Sequence, residues 1–148
     1  MTTEAPAALR VLLVEDEMVN RELIGAVLRS GMSGPLGALE LIEASTLAAG
    51  RAAVAEHAPD LIILDVRLPD GDGLELAREL PEAGTRGRPN VLVMSASVLP
   101  ADIDAARRSG GDAFLGKPFQ PAELIAVLAR LAGSARSGGS RSASAAER

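Results

Sequence analysis

The sequence predicts an α/β fold in which five strand–helix units wind a parallel sheet covered by helices on both faces. Three observations carry this. Short aliphatic runs alternate with stretches of helical period along the 148-residue chain. The most apolar run, Leu61-Ile62-Ile63-Leu64, shows no polar alternation and reads as a strand buried on both sides. It ends in Asp65 and a turn built from Pro69, Gly71 and Gly73, which holds that carboxylate at the rim of the sheet. Taken alone, Asp65 also has a plainer reading, as the residue that starts the turn.

The length suits one domain with a real core, and with two Phe and no Trp or Tyr that core must be aliphatic. The absence of cysteine excludes a disulfide scaffold and thiolate metal sites, and fits a reducing compartment. No apolar run reaches membrane-spanning length, and Met1-Thr2-Thr3-Glu4-Ala5-Pro6 lacks the regions of a signal peptide, so a cytoplasmic protein is expected. A net charge of -5 argues against non-specific nucleic-acid binding. Among fifteen basic residues the only lysine is Lys117, which suggests a position where a compact ammonium is needed.

Taken in order, residues 1–8 read as a flexible leader and Leu9 to Val14 as the first strand. Glu15-Asp16-Glu17 follows directly; three adjacent acids repel one another and call for a cation or a helix N-terminus. Helix capping accounts for one of them better than for three. The helix that follows has Val19, Leu23, Ile24, Val27 and Leu28 on its apolar face, with Arg21, Glu22 and Arg29 outside. A loop spans 31–37. Leu39 to Ala44, carrying Glu40 and Glu43, is expected to be an edge strand. Leu47 to His57 is an Ala-rich helix, and His57, at its end before Ala58-Pro59, reads as a solvated C-terminal histidine.

After the strand ending at Asp65, a helix covers about 74–80 and stops at Pro81. Val91 to Met94 forms the next buried strand, leading into Ser95-Ala96-Ser97. The fourth helix, about 101–109, has little apolar surface beyond Ile103 and Ala106 and is expected to be weakly anchored. Asp112 to Gly116 is a short fifth strand, followed by Lys117-Pro118-Phe119. Pro121 opens a last amphipathic helix through Leu131. The domain is thus expected over 9–132, with a flexible Ser/Gly/Ala/Arg tail over 133–148, too short for an output domain. The second and fifth strands are the shortest or most polar and belong at the edges, which suits the order 2-1-3-4-5.

In such a sheet Glu15, Asp16, Asp65, Ser95 and Lys117 all fall on the edge formed by the strands' C-terminal ends. Clustered carboxylates with room for water suit Mg2+, and a carboxylate beside Mg2+ and a lysine can attack phosphorus.

With these residues in place the chain resembles the receiver domain of bacterial two-component response regulators, over about 9–132. The resemblance rests on Val-Glu-Asp-Glu at 14–17, Leu-Asp-Val-Arg-Leu-Pro-Asp-Gly-Asp-Gly at 64–73, Met-Ser-Ala at 94–96 and Lys-Pro-Phe at 117–119. It implies a CheY-like, flavodoxin-type fold and a stand-alone phosphoacceptor, not an enzyme in the ordinary sense, that assists its own phosphorylation and dephosphorylation. By this resemblance Asp65 accepts a phosphoryl group from a histidine kinase or phosphotransfer protein. Asp16, Asp65 and the Arg67 carbonyl hold Mg2+, with Glu15 acting directly or through water. Lys117 meets a phosphoryl oxygen, while Ser95 and Phe114 form the switch, and the Lys117–Pro118 bond is cis. A downstream protein would read the face made by the fourth helix, fifth strand and fifth helix, with the protein a monomer or a phosphorylation-dependent homodimer.

Three departures accompany the match. Glu15 stands where Asp is as usual, Phe114 replaces the commoner Tyr, and about five extra residues separate Asp16 from Asp65, assigned to the 31–37 loop. Three rival readings of these motifs exist. An aspartyl-nucleophile phosphatase needs an acid two residues after its nucleophile, where Arg67 stands. A calcium loop at 70–73 places Leu74 and Glu75 where a ligand and a turn glycine are required. A receiver-like interaction module that works without phosphorylation is the remaining alternative.

Overall fold

The computed structural model describes residues 8–82 and 85–136; the leader through residue 7 and the tail from 137 lie outside the described residues. Five strands, β1 (Leu9–Val14), β2 (Leu39–Ala44), β3 (Leu61–Asp65), β4 (Asn90–Ser95) and β5 (Ala113–Gly116), form one sheet. Its order is β2-β1-β3-β4-β5 and every pairing is parallel, as expected. The helices are α1 (Met18–Met32), α2 (Leu47–His57), α3 (Leu74–Glu79), α4 (Pro100–Arg108) and α5 (Pro121–Arg136). An additional antiparallel bridge, Arg67–Leu68 with Gly71–Asp72, closes the turn after β3.

Strand alternation divides the core into two layers. Val11, Leu13, Leu61, Ile63, Leu92 and Met94 face α1 and α5, meeting Ile24, Leu28, Leu124 and Leu128. Leu12, Val14, Ile62, Leu64, Val91 and Val93 face the other way, meeting Leu47, Leu74, Leu76 and Ala106. Every residue of β3 is buried, and the lengths of β2 and β5 are only partly so, consistent with their edge positions.

Four expectations need correction. Val19 and Leu23 do not belong to the buried face of α1: they are 75% and 48% exposed, and packing starts at Ile24. The first turn of this helix borders the cleft at the sheet's C-terminal edge, where Glu17 and Asn20 are lining residues. Arg21 is likewise not simply outside but half-buried, folded back on the turn that precedes the helix. The 31–37 loop is more than a surface insertion, because Leu36 is fully buried against Gly31. The last helix continues to Arg136, past the residue 133 at which the tail was expected to begin. The weak anchoring of α4 is plain: Ala106 is its only fully buried residue.

Candidate functional site

Parallel strands deliver their C-terminal residues to one edge, and here the polar residues that follow them meet. Val14 pairs with Leu64, Asp65 with Met94 and Ser95 with Gly116, so the residues after β1 and β5 lie beside Asp65 and Ser95. Asp16, Asp65, Arg67, Ser95 and Lys117 line one open cleft of about 310 Å³. The glycine after the β3 turn makes this possible: a Cβ at Gly73 would lie 2.0 Å from the Asp65 carbonyl oxygen. The backbone can therefore return against β3 only with glycine at that position.

Lys117 Nζ donates to Glu15 Oε1 at 2.9 Å and stands 3.3 Å from Asp65 Oδ1. Glu15 is almost fully buried, and its second oxygen accepts the Glu17 amide at 3.1 Å. The longer side chain of Glu, compared with Asp, thus reaches beneath the cleft to the lysine. Carboxylate oxygens of Glu15, Asp16 and Asp65 lie within 4.8 Å of one another. Burial pushes the Asp65 carboxyl above the usual carboxylate range; the Lys117 charge and the Arg67 amide offset part of this, while the Glu15 charge adds to it. Burial alone would lower Lys117, but the hydrogen bond to Glu15 and the charge of Asp65 outweigh it and hold the ammonium above its ordinary value. An all-oxygen, acid-rich donor set open to water fits a hard divalent cation of the Mg2+ kind.

Ser95 shares the cleft, and its Oγ accepts the Ser97 amide at 3.1 Å. Ser97 in turn donates its hydroxyl to Asp102 in the first turn of α4. Phe114 is not part of the cleft. It is half-buried beside a separate cavity of about 60 Å³ between α4 and β5, bordered by Ile103 and Ala106. The Lys117–Pro118 bond is cis.

Sequence reasoning missed two neighbours of the site. Asp70 accepts the amides of Leu47 and Ala48 at 2.7 and 3.0 Å, capping α2 from the turn after β3, and these bonds hold its pKa low. Its carboxylate and that of Asp72, which accepts the Leu74 amide, are therefore both used in building the turn. Arg21 Nη1 donates to the carbonyls of Glu15 and Asp16. Neither contact has a local sequence signal beyond an Asp in a turn and an Arg in a first helical turn.

A parallel sheet of this order thus carries three acids, a hydroxyl and a lysine together at one edge. The chain belongs to the response regulator receiver domain family, whose profile matches residues 11–129. It is 42% identical over 118 residues to the KDP operon transcriptional regulatory protein KdpE of Escherichia coli, covering 80% of this chain and 48% of that protein. It is 34% identical to the two-component response regulator ORR41 of Oryza sativa, covering 82% of this chain and 93% of that one. The chain thus spans about half the length of KdpE and nearly all of ORR41. Among solved structures, the receiver domain of the sensor histidine kinase PA1611 of Pseudomonas aeruginosa has a TM-score of 0.72 and 32% identity. The match covers 86% of this chain and 100% of that one, in which magnesium is coordinated in the active-site cleft. Among the described residues no helix is long and apolar enough to cross a membrane.

Proposed function

We propose that this receiver domain takes a phosphoryl group onto Asp65 from a phosphohistidine of a kinase or phosphotransfer protein, with Mg2+ as cofactor. The observation that carries this reading is Lys117 Nζ bridging Glu15 and Asp65 beside the acid cluster. A carboxylate oxygen of Asp65 attacks phosphorus; the new P–O bond forms as the P–N bond of the donor histidine breaks, and the imidazole leaves with that electron pair. Glu15, Asp16, Asp65 and the carbonyl of Arg67 would hold Mg2+, which when bound neutralises charge on the phosphoryl oxygens. Lys117 supplies the second positive charge and moves from Asp65 to a phosphoryl oxygen. Met18, Val19 and Leu23 form an exposed apolar strip on α1 beside the cleft, suited to contact with the phosphodonor partner.

The added group brings about -2 charge and new acceptor oxygens. Ser95, whose Oγ accepts the Ser97 amide, then donates its own hydroxyl to a phosphoryl oxygen, a charge-assisted hydrogen bond of about 1.5–3 kcal/mol, enough to shift a two-state segment roughly tenfold or more. Ser97 leads to Asp102 and the poorly anchored α4, and the cavity beside Phe114 leaves room for the ring to move inward. The surface made by α4, β5 and α5 is what a downstream protein would read.

The test is incubation with Mg2+ and acetyl phosphate, followed by intact-mass measurement. Wild type should gain one phosphoryl mass only when Mg2+ is present, and Asp65→Asn should gain none. Equal labelling of both proteins would refute the assignment.

A further inference from the structure

Of the three consecutive acids 15–17, Lys117 meets Glu15. The three follow a buried strand and repel one another; the Glu17 amide at the start of α1 donates to Glu15, and Glu17 itself makes no side-chain cap. Arg21, on the first turn of α1, meets their backbone from the other side of the turn. One nitrogen, Nη1, donates to two successive carbonyls, Glu15 at 2.8 Å and Asp16 at 2.9 Å. Its Nε lies 3.5 Å from Glu43 Oε1, on the edge strand β2, and the Arg21 side chain is only 20% exposed. The Glu15 amide is tied to the same strand through the Ala44 carbonyl at 3.0 Å.

We propose that Arg21 is a positioning residue for the acid cluster. By holding both carbonyls it fixes the two peptide units that carry the Glu15 and Asp16 side chains. The planar guanidinium is what allows this, since one edge meets the carbonyls while Nε faces Glu43; a lysine offers a point charge with no such fork. Glu43, otherwise a plain solvated acid on an edge strand, orients the arginine. An exposed Arg–Glu pair alone would contribute little. Here the pair holds in place a group that grips the backbone of two carboxylates in the cation-binding set.

The inference rests on the metal reading of the site, and its consequence is a change in Mg2+ affinity, because groups that orient metal ligands typically alter affinity by 10–100-fold. The experiment titrates the full chain with MgCl2 by NMR, for wild type and Arg21→Met, which keeps the aliphatic stem. It also measures backbone order at Asp16 and Glu17 in the metal-free proteins. Arg21→Met should weaken Mg2+ binding about tenfold and lower the order of both residues, while core amides keep their shifts. Binding within twofold of wild type, with unchanged order at 16 and 17, would overturn the proposal. Arg21→Lys keeps the charge and the helix should the first variant not fold. Affinity below wild type in the lysine variant, with lowered order at 16 and 17, supports the clamp, and full wild-type affinity in that variant overturns the requirement for a guanidinium. Failure of wild type itself to bind Mg2+ would remove the metal reading instead, and the order measurement in the metal-free proteins still decides whether Arg21 holds the turn.

Discussion

Replacing Lys117 with Met keeps the volume of the side chain and removes the only ammonium at the site. In the present structure Nζ stands 2.9 Å from one oxygen of a fully buried Glu15 and 3.3 Å from an oxygen of Asp65, whose side chain is 10% exposed. At an effective dielectric of about 20, each contact corresponds to roughly 5–6 kcal/mol of attraction. Most of that is offset in the wild type by the cost of taking the charges out of water. Removing one partner leaves the carboxylates without that compensation, for which about 3–5 kcal/mol is usual. The open cleft lets water reach Asp65, so a loss of about 3 kcal/mol near neutral pH is expected.

The pH dependence has a definite sign. Asp65 is already raised by burial, and without Lys117 it is raised further. In the window between its unfolded and folded pKa values the native state binds more protons than the unfolded state, so stability falls as pH rises through that window. The deficit of Lys117→Met relative to wild type is therefore largest above the raised Asp65 pKa and shrinks as pH falls through it toward the ordinary carboxylate range. Urea unfolding followed by far-UV circular dichroism measures this in a chain without Trp or Tyr. Added Mg2+ should stabilise the variant more than the wild type, because the cation then meets two uncompensated acids. A loss below about 1 kcal/mol, or one independent of pH, would refute the reasoning.

Other consequences can be checked separately. Gly73→Ala places a methyl group against the Asp65 carbonyl and should cost about 2–3 kcal/mol in chemical denaturation, with shifts at Asp65 and Val66 in NMR spectra. Thr46→Ala removes the side-chain acceptor of the Ala49 amide at the start of α2 and should cost about 1 kcal/mol by the same assay. Because Asp70 is held below the usual carboxylate range by the Leu47 and Ala48 amides, its cap is present above that range and is lost as pH falls through the lowered value. Hydrogen-exchange protection at those two amides should accordingly persist through mildly acidic pH and decline only in stronger acid; loss near the ordinary carboxylate pKa would contradict the contact.

Much of this was legible in the sequence, and the reasons differ by residue. The continuous aliphatic run before Asp65 could only be a central strand, and Glu40 and Glu43 marked β2 as an edge; together they fix where the rim lies. Lys117 stood out as the lone lysine, and its place after β5 brings it to Asp65. The α1 pattern misled because Val19, Leu23 and Val27 follow one another at helical spacing, yet burial starts only at Ile24. A helical period reveals a face but not how much of it has something to cover. Arg21 and Asp70 were illegible for another reason: each acts on backbone atoms, and backbone acceptors and donors leave no mark in the residue type of the partner. For Asp70 the partner also lies 23 residues away.

The central claim is that the carboxylate of Asp65, and no other group of the acid cluster, receives the phosphoryl group. It is tested most directly by labelling with acetyl phosphate and Mg2+, trapping the acyl phosphate with borohydride, and sequencing the peptides by mass spectrometry. Reduction should convert residue 65 to homoserine and leave Glu15 and Asp16 unchanged. Homoserine at position 16, the reduced product of glutamate at position 15, or an unmodified Asp65 in protein that carries the phosphoryl mass would contradict the account.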